Sequence, residues 1–104
     1  MNLTESQIDT AMEAALVRLI PQMPPHDPNF NAVIAERRRA YIESVLKEQV
    51  LADHVDVGTA GSTLLVVLVN AEGDPEQHER EIPAWLATLP DLNGVKILVA
   101  AESI

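Results

Sequence analysis

The sequence predicts a two-layer α+β domain of element order ααββαβ, with helices packed on a three-stranded mixed sheet. Three observations carry this expectation. Residues 63–70, Thr-Leu-Leu-Val-Val-Leu-Val-Asn, are apolar on both alternating sets, Leu64, Val66, Leu68 and Leu65, Val67, Val69, so this strand has no face for water. Residues 95–101, Val-Lys-Ile-Leu-Val-Ala-Ala, read as a second strand that is apolar on both faces. Upstream, two longer stretches repeat apolar residues at helical rather than strand spacing. A strand buried on both sides must lie centrally with a layer over each face, and in so short a chain a second subunit is expected to supply one of those layers.

The first helix, within 1–20, is announced by Thr4, whose hydroxyl is placed to cap it while Gln7 reaches back, flanked by Leu3 and Ile8 as a hydrophobic staple. Ile8, Met12, Ala15, Leu16 and Leu19 form one stripe, Pro21 ends the run, and Val17 points the other way toward a second contact. Residues 21–28 hold four of the seven prolines and read as a stiff connector between this helix and the 29–104 unit. Asp27 with Pro28 suits a cap and first helical position, Asn29 competes as the cap, and the second helix runs to about Val50 on a stripe of Phe30, Ile34, Tyr41 and Val45.

Val55 and Val57 then alternate with His54 and Asp56, and Gly58 to Ser62 reads as the turn of a hairpin into the doubly apolar strand. Asp74-Pro75 resembles a helix start, yet Pro83 would remove an interior hydrogen bond and residues 75–81 have no apolar stripe. The packed helix is therefore placed at 83–89, with 75–81 as a charged turn or kinked helical extension. A right-handed crossover makes strands 63–70 and 95–101 parallel neighbours. This order over the C-terminal two thirds resembles the αββαβ domains of the NifU-type iron–sulfur scaffold family. Because the chain contains no cysteine, the resemblance implies no ligand residue here.

At 104 residues the chain is expected to form a single domain over 1–104 with one core. The absence of cysteine removes disulfides, thiolate metal sites and thiol nucleophiles together. The uninterrupted apolar run Leu64 to Val69 is far too short to span a bilayer, and the N-terminus lacks a basic leader, so a cytoplasmic protein is expected. The formal charge of -9 disfavours nucleic acid and anionic lipid as partners. That charge is uneven: residues 1–49 carry seven acids and five bases, whereas residues 50–104 carry nine acids and two bases.

Among candidate site residues, Arg37 and Arg38 fall on or beside the apolar stripe of the second helix with Tyr41, where a guanidinium must snorkel or find an anion, such as a carboxylate of a second subunit. Arg39 faces away toward Glu43 and Lys47. Val17 and Trp85 complete the interface candidates, although Trp85 shares a stripe with Ile82, Leu86 and Leu89 that points to the core. Glu72, Asp74, Glu76, Glu79 and Glu81 make an acidic docking face, and they lack the regular ligand alternation of a calcium loop. His54 with Asp56 has no third orienting group, and Gly58 to Ser62 precedes a strand rather than the helix that a phosphate loop needs.

With no catalytic, cofactor or metal constellation, the expected function is a non-enzymatic interaction, assembly or adaptor module of a bacterial or phage complex, self-associating through its N-terminal helices or an uncovered sheet face. The alternatives are a small metal- or His/carboxylate-dependent enzyme using His54 and His78, and an acidic effector of a larger enzyme or basic partner.

Overall fold

The computed structural model describes residues 3–23 and 34–104. Helix α1 (Glu5–Leu19) begins as its sequence dictates: the Thr4 hydroxyl accepts from the Gln7 amide at 3.2 Å and the Gln7 side chain accepts from the Thr4 amide at 2.9 Å. A 3₁₀ turn, Ile20–Gln22, follows it. Helix α2 (Glu36–Val50) starts later than expected, because Ala35 is extended and Ile34 lies in a bend. The anticipated caps Asp27 and Asn29, the stripe residue Phe30 and most of the Pro-rich connector lie outside the described residues.

Strands β1 (His54–Ala60) and β2 (Thr63–Val69) form an antiparallel hairpin. The turn is only Gly61-Ser62, tighter than the expected Gly58–Ser62, and Ala60 pairs directly with Thr63. Gly61 supplies the positive φ of 62° that a two-residue hairpin needs at its first position. Helix α3 (Pro75–Leu86) leads to a 3₁₀ turn at Pro90–Leu92 and then to β3 (Lys96–Glu102), which pairs in parallel with β2. The sheet order is β1-β2-β3, so the α+β class, the mixed sheet and the order ααββαβ hold.

The boundary of α3 corrects the expectation. It is one continuous helix with Pro83 inside it, so 75–81 takes the helical one of its two expected forms, and the helix ends at Leu86 rather than 89. Asp74 accepts from the Glu76 amide at 3.1 Å and Pro75 takes the first turn, where its missing N–H costs nothing. Pro83 forfeits one bond at about 3 kcal/mol. Burying Ile82 and Leu86, each worth about 1.5–3 kcal/mol, offsets that loss and holds the helix across the proline.

The layering also differs. Leu64, Val66 and Leu68 pack with Ile42 and Leu46 of α2 and Ile82 and Leu86 of α3 on one face of the sheet. Val67, Val69, Leu98 and Ala100 pack with Ala11, Ala15 and Leu19 of α1 on the other. Helices therefore cover both faces, and the cover expected from a second subunit comes from the chain's own α1. Ala11 and Ala15, both buried, turn the small side of that helix to the sheet; the expected stripe held Ala15 but not Ala11. Leu16 is 36% exposed at the margin. Leu92, fully buried under the first face, is a core residue whose position after the helix hid it from helical periodicity.

Thr63 is fully buried at the start of β2, and its hydroxyl has no hydrogen-bond partner among the described residues. Valine has nearly the same shape without the stranded polar atom. Thr63→Val is expected to raise the unfolding free energy by about 1 kcal/mol in urea titration. Leu68→Ala, which opens a void in the main cluster, is expected to lower it by about 2–5 kcal/mol.

Candidate functional site

The sheet ends in two edge strands, and each edge is closed by a glutamate from a flanking helix. At β1, Glu43 of α2 accepts from the Val57 amide at 3.2 Å. At β3, Glu79 of α3 accepts from the Ala101 amide at 3.0 Å, while Arg18 of α1 binds both Glu79 and Glu102 and reaches the Ala101 carbonyl at 3.4 Å. Hydrogen bonds to Glu79 and then Glu102 push the Arg18 guanidinium above its already high ordinary value, so it is a permanent cation clamping α1, α3 and β3 together. Glu79, one of five residues expected on an acidic docking face, is thereby committed to the scaffold.

The other four acids do not converge on a cation. Asp74 caps α3, Glu81 accepts from Gln77 at 3.1 Å, and Glu72 and Glu76 are exposed. No group of three or more His, Asp or Glu side chains among the described residues has the arrangement of a metal site. His78 is held against the Glu72 carbonyl at 2.5 Å and lines a groove with Gln49, Glu81 and Trp85. His54 lines a different groove with Glu43, Ser44 and Lys47, and its Nε2 is buried without a hydrogen-bond partner among the described residues. The two histidines required by the enzymatic alternative thus occupy separate grooves.

The interface candidates spread over both faces. Trp85 is half-buried against the main core, in keeping with its stripe. On α2, Arg38 pairs with Asp91 at 3.0 Å and lies 5.8 Å from the centroid of the Tyr41 ring, while Arg37 makes no ion pair among the described residues. Tyr41 is 55% exposed, so it lies outside the core stripe in which the sequence placed it; Ile42, one residue on, takes the buried position. Arg39 pairs with Glu36 at 2.7 Å rather than with Glu43, which the β1 edge has already engaged.

At the end of α1, Val17 is 70% exposed and Ile20, which opens the following 3₁₀ turn, is 60% exposed, and with Leu16 they form an apolar stripe turned away from the sheet. Ile20 and Leu16 are the part of this surface that sequence reasoning missed. The spacing of Ile20 three residues from Val17 and four from Leu16 was the available signal, obscured because Leu16 also fits the buried stripe. No helix among the described residues is long and apolar enough to cross a membrane.

Replacing the edge-closing glutamates should loosen the sheet where each one binds. Glu79→Ala is expected to cost about 1–2 kcal/mol and to accelerate hydrogen exchange at the Ala101 amide. Glu43→Ala should do the same at the Val57 amide while leaving Ala101 protected. No protein-family model, curated protein or solved structure matches this chain.

Proposed function

We propose that this chain is a non-enzymatic interaction module, an assembly or adaptor subunit that self-associates and docks a protein partner through the outer face of α1. The observation that carries the reading is the apolar stripe of Leu16, Val17 and Ile20 on a helix whose opposite face is already spent on the sheet. A helix needs one apolar stripe to pack on its own domain; a second, turned to water, is a cost in solubility unless something covers it. The separation of His54 and His78 into different grooves favours binding over the chemistry those residues would need to share.

The acidic composition fits a partner that presents basic residues around an apolar contact. Glu13 and Asp9, both exposed on α1 beside the stripe, would meet that basic rim.

The test is capture from the native source with wild-type protein and with a Val17→Glu, Ile20→Glu variant. The wild type is expected to retain a protein that the variant loses, with unchanged circular dichroism and melting temperature. Identical retention by both proteins would remove α1 from the role.

A further inference from the structure

The outer face of α2 carries a self-complementary seam, and we infer that a second copy of this chain packs α2 against it, antiparallel, about a two-fold axis through Ser44. Arg37, Tyr41, Ser44, Glu48 and Leu51 recur at spacings of four, three, four and three residues, the rhythm that keeps one line of a helix facing a partner helix. All five are exposed, and they lie opposite Ile42, Leu46 and Val50, which face the core. Tyr41 and Leu51 are 55% and 59% exposed, so the seam has an apolar group on either side of its small central serine. Leu51 also ends the helix in the left-handed region, φ 50°, where glycine or asparagine would be less strained and would expose no apolar side chain.

Charge selects the occupant. Neither Arg37 nor Glu48 makes an ion pair among the described residues, and they stand at opposite ends of the seam. Antiparallel pairing through Ser44 sets Arg37 opposite the partner's Leu51 and beside the partner's Glu48, and the symmetry repeats the contact. Tyr41, whose ring sits 5.8 Å from the Asp91-bound Arg38, lies across from the partner's Glu48 stem. The remainder of the charge pattern agrees. Helix α2 carries four bases and three acids, whereas α1 and α3 each carry three acids and one base. Two molecules of net charge -9 repel least where α2 meets α2.

A seam of one 15-residue helix, about 22 Å long, places this contact among weak and reversible dimers. It gives a partner to the self-association proposed above but uses none of the α1 surface. Because α1 lies on the opposite face of the sheet, the dimer leaves both α1 stripes free.

Sedimentation velocity from micromolar to millimolar protein tests the inference. Arg37→Glu and Glu48→Arg are each expected to weaken self-association about tenfold or more, and the double variant to restore it. Since the chain has no native cysteine, Ser44→Cys should form a disulfide-linked dimer under mild oxidation, while Ser103→Cys, at the exposed C-terminus, should not. A wild type that stays monomeric throughout, charge reversals without effect, or a dimer abolished by Val17→Glu instead would each overturn the α2 pairing. The first two outcomes leave partner capture by α1 untouched, whereas the third would assign the α1 stripe to self-association, so the two readings fail distinguishably.

Discussion

Strand β2 belongs to two cores at once, and the rest of the molecule is arranged to satisfy it. Leu64, Val66 and Leu68 need cover on one side, and Val67 and Val69 need it on the other. Since apolar area exposed by a central strand cannot be hidden by its own sheet, one helix layer per face is the minimum. The chain meets that minimum by dividing its helices unequally, α2 and α3 over the larger cluster and α1 alone over the smaller. This division also makes β2 the hydrogen-bonded centre, antiparallel to β1 through a two-residue turn and parallel to β3 through the α3 crossover.

A three-stranded sheet has two edges for one protected centre, so edge management weighs heavily in so small a fold. Glu43 and Glu79 perform it from helices on the same side of the sheet, each accepting from an outward backbone amide. At β3 the arrangement is reinforced by Arg18, which ties the lone helix of the smaller core to α3 and to Glu102. That ion-pair cluster spans three elements and is hydrogen-bonded at both ends, unlike the isolated surface pair of Arg39 with Glu36, whose neighbours on one helix contribute little. The acids that look in sequence like a docking face are in part structural, one capping a helix and one closing an edge.

What remains uncommitted after the scaffold is satisfied is the outward side of the helices. Helix α1 presents aliphatic side chains flanked by acids, and α2 presents a line in which arginine, tyrosine, serine, glutamate and leucine alternate. These two surfaces lie on opposite faces of the sheet, and Arg37 and Tyr41 of the α2 line also edge a groove with Arg38 and Asp91.

The local rules were legible in the residues. Thr4 with Gln7 specifies a capping box and the doubly apolar runs specify buried strands, because each depends on contacts within a few residues or on periodicity alone, whereas the helix start at Asp74-Pro75 was masked by Pro83. Three features were decided by long-range packing. Pro83 stays helical because Ile82 and Leu86 are buried in the cluster on the sheet face shared with α2, a gain invisible to propensity. Arg18, Glu79 and Glu102 meet although they are up to 84 positions apart, which no local pattern announces. Above all, the alternation of β2 determined that two layers must cover it, whereas only the folded chain decided that α1 would be one of them. The apolar stripe of a helix states how much surface must be hidden and not against which face of the sheet, and that choice is made by chain reversal and by the close fit of Ala11 and Ala15.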